Sequence, residues 1–391
     1  MRSSIRGCAM TDHSTIATHE VLAGASPTIA GRSLWQDAWR RLRKNKAAVA
    51  SAAVLLFLAL AGIFGPLVAP HPYDRIYPQY VRTPASLEAY PKTDRIIPAF
   101  ESVVSRARVE TGPVEVEGST VRMPISSGEQ LDPRIVRYVD RSDLFENARI
   151  EELSADGRSG VMVADVHRLR FLFGTDSNGR DLLARILIGI RVSLAIGVLA
   201  SAMALLFGVS YGAIAGYLGG RVDGVMMRIV DILYSLPFIF FVILLVVFFG
   251  RNFILIFIAI GATEWLDMAR IVRGQALMLK RQEFVQAAEA LGVDNSGILR
   301  RHIIPNTLGP VVVFVTLLVP KAILLESLLS FLGLGVQEPL TSLGLLISDG
   351  AANIQGATWL LIYPAIALTV LLFALNFLGD GLRDALDPKD R

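Results

Sequence analysis

Six apolar runs, at roughly 47–69, 190–218, 226–249, 252–276, 309–332 and 357–378, decide what this chain can fold into. A helix of about 20 apolar residues crosses about 30 Å of hydrocarbon, and lipid tolerates only structures that satisfy their own backbone hydrogen bonds. The chain therefore reads as an all-α polytopic membrane protein with six transmembrane helices. Composition agrees: 53% of the 391 residues are apolar and the mean hydropathy is +0.50. Those values exclude an ordinary water-soluble enzyme. The fourth run is the weakest, because Glu264, Asp267 and Arg270 occupy its second half. Its helix should project beyond the bilayer.

The first run starts far from the N-terminus and ends at PLVAP with no A-x-A site, so it reads as a retained span. Residues 1–32, rich in Ser, Thr, Ala and Gly and without periodicity, are expected to be a disordered cytoplasmic tail. In SLWQDAWRRLRKNK (33–46), Leu34, Trp35, Ala38, Trp39 and Leu42 share one helical face, with Arg40, Arg41, Arg43 and Lys44 mostly elsewhere. A basic helix with tryptophans suits a headgroup layer, as an amphipathic elbow before the first span. Basic residues also cluster between the second and third runs (Arg221, Arg228). More follow between the fourth and fifth: Arg270, Arg273, Lys280, Arg281, Arg300 and Arg301. One side of the membrane receives them all if both termini are cytoplasmic. Residues 71–170 then form an extracytoplasmic insertion of about 100 residues between the first two spans. Its mixed charges and alternating patches such as VEVEGSTVRMPI (114–125) predict some β-structure. Within the second run Gly208, Gly212 and Gly216 recur every four residues, a spacing that lets helices pack closely in lipid.

Residues that usually carry chemistry are missing. There is no G-x-x-x-x-G-K-[ST] phosphate loop, no H-E-x-x-H and no nucleophile elbow. His13, His19, His71, His167 and His302 are too scattered to suggest a ligand set, and the single cysteine, Cys8, permits neither an internal disulfide nor a thiolate zinc centre. Gly7 and Cys8 look faintly like an acylation site, but no apolar signal run precedes them. DSNGRD (176–181) superficially suggests a calcium loop, yet Arg180 and Asp181 stand where an oxygen ligand and the glycine belong. It reads as a polar turn leading into the second span. No catalytic residue, metal or cofactor is expected on this chain, and a net charge of +3 gives no ground for a nucleic-acid partner. Any work it performs must be powered elsewhere.

The stretch EFVQAAEALGVDNSGILRRHIIPN (283–306) is polar and helix-forming, between two spans. Phe284, Ala287, Ala288 and Leu291 fall on one face at i, i+3, i+4 and i+7, with Glu283, Gln286 and Glu289 away from it. Gly292 suits a left-handed helix stop. Asp294 suits the N-cap of a second helix, which Pro305 would end with Arg300 and Arg301 near its C-terminus. Two short helices at a fixed angle would present a small-residue face to another surface. Three readings compete: a plain loop, a DNA-binding helix-turn-helix, or a docking element for a cytoplasmic protein. Tethers to the membrane at both ends would keep the second from reaching a groove.

QAAEALG…HIIP resembles the EAA loop of ABC-importer permeases, E-A-A-x-x-x-G-x9-I-x-L-P, with Ala287, Ala288, Gly292 and Pro305 in register. Gln286 replaces the glutamate and His302 the first isoleucine, although His302, Ile303 and Pro305 resemble the RHIxPN form of peptide and nickel permeases. Four more stretches resemble the C-type permease of bacterial oligopeptide importers: GRSLWQDAWRRLRKNKAAVAS (31–51), FGTDSNGRDLLARI (173–186), SFLGLGVQEP (330–339) and GDGLRDALDPKDR (379–391). The resemblance covers nearly the whole chain except the N-terminal tail and most of 71–170. It implies an inner-membrane, multi-pass subunit of ABC type-1 permease architecture. Its core would span 188–380, its coupling loop 280–306, and its cytoplasmic tail 381–391. The implied partners are a second homologous permease, two cytoplasmic ABC ATPases holding ATP and magnesium, and an extracytoplasmic peptide-binding protein. Oligopeptides would pass between the two permeases. Glu283, Phe284, Gln286, Ala287, Ala288, Glu289, Leu291, Gly292, Asp294, His302 and Pro305 would form the ATPase-coupling unit.

Rival readings are a dipeptide- or nickel-type permease, a membrane-tethered DNA regulator, and a self-sufficient secondary transporter or channel. The last predicts inverted repeats and clustered mid-membrane charges. No clear repeat is visible, and only Lys321 and Glu326 sit well inside a span. Five residues apart, they point about 140° from one another. They therefore line the translocation path or pair with a neighbouring helix, and do not pair with each other.

Overall fold

The computed structural model describes residues 34–386. The expected disordered tail, Cys8 and the last five residues lie outside the described residues. Helix α1 (Leu34–Lys44) ends at Asn45, whose side-chain oxygen accepts from the backbone of Ala47 and Ala48 at 3.1 and 3.2 Å and so caps α2 (Lys46–Val68). On α1 Ala38 is buried, while Trp39 is exposed with the Arg43 guanidinium 4.9 Å over its ring.

The insertion is a small α+β unit with its own core. Helices α3 (Thr93–Val104) and α4 (Val136–Asp140) accompany strands β1 (Glu110–Thr111), β2 (Glu115–Glu117), β3 (Thr120–Ser126), β4 (Phe145–Glu151) and β5 (Ser159–Val166). The antiparallel sheet has order β1-β3-β5-β4, with β2 also paired to β3. The alternation in the sequence becomes a two-faced strand: Val121, Met123 and Ile125 of β3 are buried against Ile96, Phe100, Val103 and Val104 of α3.

The membrane part consists of α2 together with α5 (Leu182–Leu218), α6 (Gly220–Tyr234), α7 (Phe238–Phe249), α8 (Phe253–Leu279), α9 (Glu283–Ala290), α10 (Asn295–Ile298), α11 (Ile304–Phe331), α12 (Leu343–Ala352) and α13 (Trp359–Leu386). Among the described residues four helices are long and apolar enough to cross a bilayer: α2, α5, the continuous Asn295–Phe331 helix and α13. The pair α6 and α7 makes a fifth if it counts as one broken span. The 27-residue α8 carries Glu264, Asp267 and Arg270 and is not among them.

Three features differ from what the sequence suggests. The run 226–249 is not one straight helix, because α6 and α7 meet at 81°. Pro237, which follows the break, has no N–H to donate and disfavours a helical Leu236. Pro305 does not end a helix either. Helix α10 passes through a π-turn (Leu299–Ile303) into α11, and Pro305 sits in the first turn of α11, where a missing N–H costs little. Arg300 and Arg301 therefore lie within a continuous helix and not at its C-terminal end. Helix α13 continues through Leu386. Finally, α12 was not anticipated: a short apolar helix packed against α5, α11 and α13.

Helices α5 and α8 approach most closely through glycine. A Cβ on Gly208, Gly212 or Gly216 would lie under 3.0 Å from atoms of Met268, Ala269 or Arg273 respectively. That is the backbone contact which small residues at four-residue spacing permit.

Candidate functional site

Helix α9 ends in a Schellman cap. Gly292 takes φ +77°, its N–H donates to Glu289 O at 3.0 Å, and Val293 N–H donates to Ala288 O at 3.1 Å. The chain then turns at Asp294, which occupies the N-cap position of α10. Its carboxylate accepts from the Ser296 hydroxyl, which holds the acid below the ordinary carboxylate range. A helix, a left-handed turn and a second helix therefore form a rigid elbow.

The elbow has an inner and an outer face. Val285 and Ala288 are buried with Ile298, Ile303, Ala276 and Tyr217. On the outer face lie Phe284, 43% exposed, Ala287, and Leu291, 84% exposed. Ala288 thus leaves the face on which the sequence pattern placed it. The cause is Val285, about 100° around the helix from Phe284, which turns the neighbouring stripe inward. An exposed leucine and phenylalanine thus flank an exposed alanine on an otherwise polar loop.

Tyr217, near the C-terminal end of α5, anchors the elbow. Its hydroxyl lies 3.0 Å from Glu289 Oε1 and 3.2 Å from Asn295 Oδ1, donating its one proton between α9 and α10. Lys280 Nζ donates to the Tyr217 carbonyl at 2.7 Å. Nearby, Arg273 on α8 grips Asp223 on α6 with both forks, at 2.5 and 2.6 Å. Glu283, Gln286 and Pro305 are exposed, and the half-buried His302 ring lies 6.2 Å from that of Phe284. The elbow is thereby linked to α5 by Tyr217 and to α11 by the continuous helix. Sequence reading missed Tyr217: one tyrosine at the end of an apolar run carries no signal.

Lys321 and Glu326 are not brought together. Lys321 Nζ donates to Glu264 Oε2 at 2.8 Å and lies 3.4 Å from Asp267 Oδ2, pairing α11 with α8. Glu326 is 0% exposed. It accepts from Ser330 Oγ at 2.6 Å and Ser193 Oγ at 3.4 Å, and Ser193 Oγ also accepts from Leu343 N–H at 3.2 Å. This buried acid joins α11, α5 and the start of α12.

A second charged cluster lies at the opposite end. In the DSNGRD turn the Asp176 carboxylate accepts from the backbone of Asn178 and Arg180, both at 2.8 Å, and from the buried Arg180 and Arg185 guanidinium groups. Arg180 Nη2 also donates to Glu338 Oε1 at 2.6 Å, reaching the loop after α11. The Arg180 hydrogen bond holds the Glu338 carboxyl below its ordinary range. Burial pushes Asp176 up, but Arg185 and the hydrogen bonds from Arg180 more than reverse that. His71 Nδ1 sits 2.8 Å from Asp181 Oδ2, fixing the residue that caps α5. Among the described residues no group of three or more His, Cys, Asp or Glu could hold a metal.

The family described as "Binding-protein-dependent transport system inner membrane component" matches residues 208–391, and the "N-terminal TM domain of oligopeptide transport permease C" matches residues 33–86. The chain is 47% identical to the oligopeptide transport system permease protein OppC of Escherichia coli K12, over 93% of this chain and 94% of that one. It is 43% identical to the OppC protein of Haemophilus influenzae, over 92% and 90%. Identity to the dipeptide transport system permease protein DppC of Bacillus subtilis is 38%, over 92% and 87%. Among solved structures, a chain of the MetNI methionine ABC transporter in an inward-facing conformation overlays with a TM-score of 0.44 at 18% identity, covering 53% of this chain and 96% of that one.

Proposed function

The chain belongs to the family of binding-protein-dependent inner-membrane permeases of the oligopeptide type, and from that premise we propose that its cytoplasmic elbow is the seat of a partner ATPase. A permease of this family is a transport subunit, and ATP hydrolysis belongs to its partners. The proposed assembly contains a second homologous permease, two ATPases carrying ATP and magnesium, and an extracytoplasmic binding protein. Oligopeptides cross between the two permeases.

Six spans are proposed: α2, α5, the α6–α7 pair, α8, the Asn295–Phe331 helix and α13. Both termini then lie in the cytoplasm of a bacterial inner membrane, with the insertion outside. Phe284, Ala287 and Leu291 enter a socket on the ATPase, while Gly292 fixes the angle at which they are offered. When the ATPases close, the push on α9 passes through Tyr217 to α5 and through α10 to α11. Glu283, Gln286, Asp294, His302 and Pro305 rim the seat, while Ala288 and Glu289 hold α9 to the bundle.

One observation carries this reading: an outward apolar stripe on an otherwise polar loop, on a helix pinned by hydrogen bonds to a span. Two experiments test it. In a Cys8→Ser background, Ser119→Cys should label from outside intact cells and Ser296→Cys only after permeabilisation. The purified complex should retain ATPases and show peptide-stimulated ATP hydrolysis. External labelling at position 296 would put the elbow on the wrong side and end the proposal.

A further inference from the structure

Lys321 stands at the midpoint of the apolar run 309–332, yet its side chain is 50% exposed, and that of its neighbour Asp267 on α8 is 29% exposed. A charge at that depth is costly against hydrocarbon, so such groups face protein or water. The packing of α8 shows which side they occupy. Helix α8 meets the glycines of α5 through Met268, Ala269, Val272 and Ala276. At 3.6 residues per turn, Asp267, Arg270 and Gly274 lie about 160° around the helix from that contact. The chain supplies no cover there: Arg270 is exposed, and a Cβ on Gly274 would meet nothing within 4 Å.

Ion pairs flank this open strip on both sides. Towards α11, Lys321 Nζ holds Glu264 at 2.8 Å and Asp267 at 3.4 Å. Towards α6, Arg270 Nη2 donates to Asp231 Oδ1 at 3.0 Å, and its guanidinium lies 4.3 Å over the Tyr234 ring. A second permease is a poor cover for such a surface, because protein interfaces deplete charge at their cores. Both cations already hold counter-charges within this chain, so no partner residue is needed to neutralise them. Water is the cover that remains, and a wet strip along the spans of a permease is a wall of its path.

The charges on the strip do not cancel. Arg270 balances Asp231, but Lys321 alone faces two carboxylates, Glu264 and Asp267, which leaves one negative charge over. Of those acids Glu264 is buried on Lys321, whereas Asp267 is the partly exposed one and has a single 3.4 Å contact among the described residues, against about four lone-pair sites on a carboxylate. Peptides that differ in every side chain still share a backbone and two charged ends, and an ammonium is the end that this excess charge fits. We propose that the open face of α8 lines the peptide path and that Asp267 receives the amino-terminal ammonium of the passing peptide. The proposal rests on the permease reading and adds a specificity-determining residue to it.

The test uses the whole importer in nanodiscs, with Cys8→Ser in this chain and its modification read by mass spectrometry. Asp267→Cys and Gly274→Cys should react with a cationic, membrane-impermeant methanethiosulfonate in the nucleotide-free or the ATP-trapped state. Phe57→Cys, exposed in the middle of α2, should stay unreactive in both. Position 274 has room for a side chain, so its variant should fold even if the one at 267 does not. A tripeptide whose first residue is benzoylphenylalanine should photo-cross-link to α8. Asp267→Asn should lower that yield about tenfold, the worth of one charge-assisted hydrogen bond, and Asp267→Glu should restore most of it. ATPase recovery, and the reactivity of Gly274→Cys, should be the same with Asn at 267, which a merely structural role for the acid would not allow. Protection of position 274 in both states would show that protein covers the strip and would overturn the proposal, as would a cross-link indifferent to Asp267→Asn. Either failure, with ATP-driven uptake by the Cys8→Ser complex intact, rejects the path assignment alone. Absence of uptake by that complex rejects the permease reading and the proposal with it.

Discussion

Gly292→Val isolates the geometry of the elbow. At φ +77° a side chain meets backbone strain, and since nothing lies within 4 Å of a Cβ built there, no steric clash adds to it. A left-handed L-residue costs about 1–2 kcal/mol, with β-branched residues at the upper end. The alternative is to abandon the cap, which gives up the bonds from Gly292 to Glu289 and from Val293 to Ala288. At about 0.5–1.5 kcal/mol each that comes to a similar sum. Either route costs far less than the 5–15 kcal/mol that typically holds a domain together, so the bundle should insert and fold, while a penalty of 1–2 kcal/mol depopulates the docked geometry by about 5–30-fold. Peptide uptake should therefore collapse in a strain lacking the native subunit, and ATPase recovery on purification should fall, with membrane abundance near normal. Gly292→Ala should be milder, at about 1 kcal/mol. Normal uptake and full ATPase recovery with valine would refute the reasoning, because the cap would then have no bearing on docking.

Three further outcomes are expected. Tyr217→Phe removes the hydroxyl between Glu289 and Asn295, so it should uncouple peptide-stimulated ATP hydrolysis from uptake without reducing expression, as vesicle transport assays would show. Lys321→Met leaves the buried Glu264 without its cation and should sharply lower membrane abundance, while adding Glu264→Gln should restore much of it, by the rule that breaking one side of a buried pair costs more than replacing both. Glu338 is held below the ordinary carboxylate range by Arg180, so its contribution is present above the unfolded carboxylate pKa and is lost as pH falls through the lowered folded value; Glu338→Gln should flatten that acid limb in thermal unfolding.

What the sequence reveals here follows the physics of each part. Four spans, α2, α5, the Asn295–Phe331 helix and α13, were legible because crossing lipid demands length and apolarity, both of which show in one dimension. Gly292 was legible because a helix stop needs a left-handed residue and glycine meets that need cheaply. The break at Pro237 was readable in principle, but an apolar run on either side hid it. Pro305 misled for the opposite reason: proline ends a helix in its interior and is tolerated in a first turn, and only the π-turn before it tells which applies. Ala288 turned inward because burial of Val285 set the rotation of α9. Tyr217 and the Arg180–Glu338 bond depend on residues 72 and 158 positions apart, and no local pattern announces such pairs.

Site-directed cross-linking shows whether the outer face of α9 seats an ATPase. In the Cys8→Ser background, Leu291→Cys and Ala287→Cys should each form a short-span cross-link to the ATPase subunit of the native membrane complex. Ser119→Cys, in the insertion, should not. The yield at position 291 should change between nucleotide-free and ATP-trapped complexes, since the elbow moves with the ATPase. Cross-linking of position 119 to the ATPase, or silence at both 287 and 291 in a complex that still hydrolyses ATP, would show that the ATPase docks elsewhere.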